Sequence, residues 1–119
     1  RIFYMNHDFK ILKKVKEYIS FLESVLANFP KKDILAKSYI YEVGLDILYL
    51  VLKANYSKDY SERKEYQKEI LVLLNMLDFY IERGFNHKYL SENQLKKNSN
   101  KLIELTKMMY GWIKSERIN

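Results

Sequence analysis

At 119 residues, 48% of them hydrophobic and 30% charged, the chain suits one domain with a buried core. It has no cysteine, 3 glycines and 1 proline. That excludes disulfide scaffolds, thiol catalysis and cysteine-held zinc or iron–sulfur sites, and it leaves too few turn residues for a sandwich or barrel.

The formal net charge of +6 raises the expectation of an anionic partner. The excess lies toward the two ends: residues 1–30 carry five basic and three acidic groups, and residues 87–119 carry seven and three. No stretch has the make-up of a signal peptide. The longest apolar run, Val43 to Leu52, is broken by Asp46 and is far short of the roughly 20 residues of a membrane span. A cytoplasmic, reducing setting and no membrane partner are therefore expected. The sequence opens at Arg1 rather than methionine, so residues ahead of it are expected too.

Along the chain, apolar residues recur at alternating intervals of three and four, the stripe of a helix packed on one side. Leu12, Val15, Ile19, Leu22, Leu26 and Phe29 mark a first helix over residues 8–28. Pro30 closes it, since its ring and missing N–H stop the hydrogen-bond ladder. Asp33 stands as N-cap of a second helix over 34–54. Its stripe reads Ile34, Tyr41, Leu45, Leu48 and Leu52, with Ser38 filling one position.

Ile40, Val43, Ile47, Leu50 and Val51 lie on other faces of that helix. A helix apolar on more than one side must be covered on more than one side. Ile40, Val43, Ile47 and Val51 are thus the expected contacts with another subunit. A wide stripe buried within a single chain is the equally open alternative.

Asp59 and Glu62 have capping-box spacing and start a third helix over 61–84. Tyr66, Ile70, Leu73, Leu77 and Tyr80 stripe it, widened by Leu74 and Ile81. Gly84 and Asn86 are its stop signals, glycine being at ease in the left-handed cap conformation. Ser91 and Gln94 form a second box, opening a fourth helix over 92–115 striped by Leu95, Asn98, Leu102, Leu105, Met109 and Trp112. Helices of this length are about 30–38 Å long, and short joints make successive helices antiparallel neighbours. The expected fold is all-α: an antiparallel up-down-up-down four-helix bundle, one domain over 1–119.

Chemistry finds little to stand on. His7 and His87 have no helical spacing to a second ligand, so no metal or cofactor is expected. Gly44, Gly84 and Gly111 are isolated and make no phosphate loop. Asp46 is either a bundle-edge carboxylate paired with a lysine or arginine, or a polar group setting the pairing of subunits. An enzyme is not expected.

The basic groups say more. In an antiparallel ring the end of the fourth helix lies beside the start of the first. That brings Lys107, Lys114 and Arg117 near Lys10, Lys13, Lys14 and Lys16, while the second joint adds Lys53, Lys58, Arg63 and Lys64. Lys96, Lys107 and Lys114 also share one face of the last helix. Lys10, Lys13, Lys14, Lys107, Lys114 and Arg117 are the candidates for backbone-phosphate contacts with RNA or DNA. Asp8, Glu17, Asp59, Glu62, Glu65 and Glu116 offset them in part, and a mixed solvated surface is the alternative. Of the eleven tyrosines, Tyr66 and Tyr80 should pack with their hydroxyls outward. Tyr39, Tyr49 and Tyr110 could pack, touch another subunit or stack on unpaired bases.

Met108-Met109-Tyr110-Gly111-Trp112-Ile113-Lys114-Ser115 resembles the closing segment of the accessory variability determinant proteins of diversity-generating retroelements, which commonly end in Gly-Trp-Ile-Lys-Ser. Lys107 stands where that family usually has arginine, and Tyr110 where it has a small residue. Leu77-Asp78-Phe79-Tyr80 with Tyr89-Leu90-Ser91, Phe29-Pro30-Lys31, and Leu52-Lys53-Ala54-Asn55-Tyr56 resemble its joints. The likeness spans about residues 9–115. It implies a homopentamer of four-helix bundles that binds nucleic acid and the retroelement reverse transcriptase, and supports mutagenic copying of a template repeat without chemistry of its own. The related proteins encoded in intervening sequences of large-subunit ribosomal RNA genes carry a Ser-Ile-Pro-Ser-Asn-Ile-Ala-Glu-Gly motif that this chain lacks. That type, and a protein-interaction scaffold without nucleic-acid binding, are the alternatives.

Overall fold

The computed structural model describes residues 9–117, with Arg117 described by its backbone alone. His7 lies outside the described residues. Four helices account for most of them: α1 Lys10–Leu26, α2 Ile34–Tyr56, α3 Tyr60–Asn86 and α4 Glu92–Arg117. A single 3-10 turn, Lys31–Asp33, precedes α2, and there is no strand among the described residues.

Every stripe residue named for the first helix, Leu12 through Phe29, is buried. Its last turn tightens through Asn28 N–H to Val25 O and Phe29 N–H to Leu26 O, and Pro30 leaves in an extended conformation. Asp33 occupies the N-cap position of α2 without capping it. Its carboxylate instead accepts a hydrogen bond from the Tyr89 hydroxyl at 2.7 Å and faces Arg83 at 3.7 Å.

The phase expected for α2 is corrected. Ile40, Val43, Ile47 and Val51 are at most 2% exposed within the single chain, so they cannot serve as subunit contacts. Ile34 and Leu45, read as core, are 53% and 40% exposed. Ser38, Glu42, Asp46 and Lys53 fall along one side of the helix and are all exposed, and the buried face is the one opposite them. Gly44 helps choose it: a Cβ there would sit 3.1 Å from a Leu22 methyl, so α1 lies close against this side.

At the start of α3 the Asp59 carboxylate accepts the Ser61 N–H at 3.0 Å. The reciprocal bonds of the expected capping box do not form, since the cap bond goes to Ser61 rather than Glu62 and Glu62 accepts the Ser57 and Tyr66 hydroxyls instead. Gly84 does not end α3, which runs two residues further with no glycine at positive φ; the left-handed residue is Lys88, at φ 67°. Gly84 supplies room, since a Cβ there would lie 2.6 Å from the Phe29 ring. The box opening α4 closes in both directions, Ser91 N–H to Gln94 and Gln94 N–H to Ser91.

Each helix packs on its chain neighbours and α4 returns to α1, with no diagonal pair close among the described residues. Asp33 meets Arg83, Tyr39 meets Tyr80 and Lys53 meets Tyr66 across α2 and α3. Phe9 meets Trp112, Lys14 meets Glu104 and Tyr18 meets Asn98 across α1 and α4. On these two interfaces residue numbers rise on one helix as they fall on the other. Two polar side chains, Gln67 and Asn98, lie in the otherwise apolar core, each 1% exposed. Among the described residues no helix is long and apolar enough to cross a membrane.

Candidate nucleic-acid interface

The start of α1, the joint before α3 and the end of α4 come together at one end of the molecule. The Phe9 ring stands edge-on to Trp112 at 5.1 Å, and Arg63 pairs with Glu116 at 3.2 Å while donating to the Ser57 carbonyl. This neighbourhood is the one the ring arrangement leads one to expect. The lysines within it do not form one patch.

They divide between the two edges of α4. Lys107 lines a groove facing α3, with Tyr110 beside it and Asn75 and Asp78 opposite. Lys114, seven residues on, shares that edge and is exposed. Lys10 and Lys14 face the other edge, across the α1/α4 seam. Lys13 is exposed on α1, and the side chain of Arg117 lies outside the described residues. The breadth of α4 thus separates Lys107 and Lys114 from Lys10 and Lys14.

The second joint contributes less free charge than its composition promises. Arg63 is committed to Glu116. Lys53 sits about equally over the rings of Tyr49 and Tyr66, at 5.3 and 5.0 Å, and these two tyrosines, Tyr49 foremost, hold its pKa above the usual lysine value. Lys58 is exposed and Lys64 half-buried.

The seam itself is built from two rows. On α1 Lys10, Lys14, Glu17, Phe21 and Ser24 follow one another at intervals of four and three. On α4 the facing row is Gln94, Lys97, Lys101, Glu104, Met108, Gly111 and Ser115, with the same alternation. Such spacing keeps each row on a single helix edge. Three depressions lie end to end between the rows.

The upper depression, about 570 Å³, is bordered by Lys97, Lys101, Gln94, Asn100 and Ser24, with Phe21 in its wall and Glu104, the partner of Lys14, at its lower edge. Lys101 lies 5.3 Å over the Phe21 ring. The waist is a small hollow with Tyr18 in its lining, where Lys14 pairs with Glu104 at 3.1 Å and Glu17 at 3.7 Å. The Glu104 hydrogen bond and charge, then Glu17, raise the pKa of Lys14. The lower depression, about 340 Å³, is mainly apolar: Phe9, Ile11, Met108 and Trp112 surround Gly111, with Lys10 at the rim.

Lys97 and Lys101 were not among the candidates read from the sequence. Their row is the core stripe of α4 shifted by one residue, and only the position of α1 turns that shift into a groove wall. Lys10, Lys97 and Lys101 have no ion-pair partner among the described residues, which leaves their charge available to an external anion.

The other candidates are placed as follows. Asp46 is exposed on α2 with no ion pair among the described residues. His87 is exposed and stacks on Tyr89 at 5.5 Å. Among the described residues no three His, Asp or Glu side chains are grouped so as to hold a metal ion. Tyr66 and Tyr80 are half-buried, and Tyr39, Tyr49 and Tyr110 are exposed. Leu35, Tyr49, Val72 and Phe79 leave exposed apolar surface on α2 and α3, between 59% and 84% exposed. Comparison with protein-family models and with curated proteins gives no match to this chain.

Proposed function

We propose that the chain is a non-enzymatic accessory protein that binds RNA or DNA through backbone phosphates and serves a retroelement reverse transcriptase in mutagenic copying. In this reading it is an antiparallel up-down-up-down four-helix bundle, acts in the cytoplasm and assembles as a homopentamer. The observation that carries nucleic-acid binding is the set of lysines along the α1/α4 seam, Lys10, Lys97 and Lys101, that have no carboxylate partner among the described residues. Charge of this kind gives sequence-tolerant attraction to phosphates. The reverse transcriptase, the retroelement and the number five rest on the resemblance of residues 108–115 and the three joints. Subunit contacts, on this reading, use the outward apolar residues Leu35, Tyr49, Val72 and Phe79, since Ile40, Val43, Ile47 and Val51 are spent inside the chain.

Light scattering fixes the mass, and binding of labelled RNA and duplex DNA is then followed as salt is added. The logarithm of the binding constant should fall linearly with the logarithm of salt concentration, with a slope set by the phosphates engaged. Absence of binding to any polyanion at low salt would remove the accessory role. It would favour a protein-interaction scaffold, the second reading, for which the exposed α2/α3 surface already speaks.

A further inference from the structure

We infer that the α1/α4 seam is a track for a single strand of RNA or DNA, with the hollow over Gly111 receiving an unpaired base. This rests on the nucleic-acid-binding reading above and names the form of nucleic acid and the place it sits.

The first support is Gly111 itself. Glycine weakens a helix interior relative to alanine. At Gly44 and Gly84 the fold accounts for it, because a Cβ would press on Leu22 or Phe29. At Gly111 a Cβ would meet nothing within 4 Å. Among the described residues nothing needs the glycine, and what a missing side chain offers at such a place is close approach of another molecule to the backbone.

The second support is what surrounds it. The hollow is shallow and open, bordered by Phe9, Met108 and Trp112, and among the described residues Lys10 is its one cation. An apolar, aromatic surface beside a lone positive charge suits the face of a base with its phosphate held outside. Bases in a duplex are paired and stacked inward, so only an unpaired one can enter.

The third support is the seam beyond the hollow. Lys97 and Lys101 stand one turn apart on the same edge, about 6 Å along the axis, where they can hold successive phosphates. The waist between offers no free cation, since Lys14 is tied to two carboxylates, Glu104 and Glu17. The track therefore has a phosphate-gripping upper part and a base-seating lower part.

Trp112 is the single tryptophan of the chain, so its fluorescence reports on the hollow directly. The full chain is titrated with a short unstructured single strand and with a duplex of equal length, binding being followed separately by anisotropy of the labelled nucleic acid. The single strand should change Trp112 emission in a salt-sensitive way, and the duplex should not. Gly111→Leu, which fills the hollow, should weaken single-strand binding about tenfold or more, the scale of one lost stacking contact, and leave duplex binding nearly unchanged. Gly111→Ala serves as a second, smaller obstruction compatible with the helix. Lys97→Glu with Lys101→Glu should weaken the single strand more than the same change at Lys107 and Lys114.

Nucleic-acid binding that leaves Trp112 emission unchanged and ignores both Gly111 variants overturns the seam assignment while the accessory role stands. A response of Trp112 to an apolar peptide and to no strand overturns it in favour of a protein occupant. Failure of wild-type protein to bind any nucleic acid overturns the functional reading, and the track with it.

Discussion

Gly84 and Gly111 lie toward opposite ends of the molecule and do opposite things. Around Gly84 the structure is closed: Phe29 and Leu90 leave no space for a methyl group, Phe29 also packs on Tyr89 at 5.0 Å, and Tyr89 in turn holds Asp33. Around Gly111 it is open, with a shallow apolar hollow and, among the described residues, no neighbour within 4 Å of where a side chain would start. The same residue type is demanded by the interior in one place and left unexplained by it in the other. Changes at the closed end should therefore register in stability, and changes along the seam in binding.

The largest effect should come from Phe29→Ala. The ring is 4% exposed, and losing a buried phenylalanine typically costs about 3–5 kcal/mol; urea denaturation would show it, and a loss under about 1 kcal/mol would mean that this end is not closed. Gly84→Ala comes next, at about 1–3 kcal/mol for overpacking. Equal stability of the alanine variant would show that Phe29 moves aside freely.

Tyr18 links the core to the seam, since it lines the waist hollow and is only 2% exposed. Burial, with the charge of Asp78 adding, raises its phenol well above the usual tyrosine value. The folded state holds the neutral form, so this part of the stability is complete below about pH 10, the ordinary tyrosine pKa. Above that pH the unfolded chain loses the proton while the folded chain keeps it. Stability should fall by up to about 1.4 kcal/mol per pH unit. Denaturation midpoints gathered across this alkaline range for wild type and Tyr18→Phe would test it, and an equally steep decline in both would assign the slope to other groups.

The smallest effect has the opposite sign. Gly111→Ala should stabilise by about 0.5–1 kcal/mol, because it adds helix propensity and meets no obstruction. A lower melting temperature for this variant would break the contrast between the two glycines.

Much of the fold was legible in the residues. Pro30 and the Ser91–Gln94 box marked real boundaries, and the apolar stripes of α1 and α4 chose the correct faces, because both helices carry enough charge to leave one clear inner side. In α2 the expected stripe runs through Ile34 and Leu45, which lie beside the polar row Ser38, Glu42, Asp46 and Lys53. The buried face lies opposite that row and is passed over because its residues are no more apolar than Leu35 or Leu45. Gly84 was read through its freedom of φ when its role is volume, a property that depends on Phe29, 55 positions earlier. The basic site was half legible. Lys10 and Lys14 do reach the seam, but Lys107 faces α3, and Lys97 and Lys101 become wall residues only once α1 lies beside α4.

The hydrogen bond from the Tyr18 hydroxyl to the Asn98 side-chain oxygen, 2.7 Å long between residues 80 apart, has a consequence for alignment. Both groups lie in an apolar interior, where a polar group without a partner costs about 1–3 kcal/mol. Sliding α4 by one turn against α1 would part them and strand two such groups at once. Neighbouring leucines and isoleucines can exchange contacts with little loss, and so they discriminate poorly between one register and the next. This single polar pair discriminates well, and it keeps the two rows of the seam opposite one another.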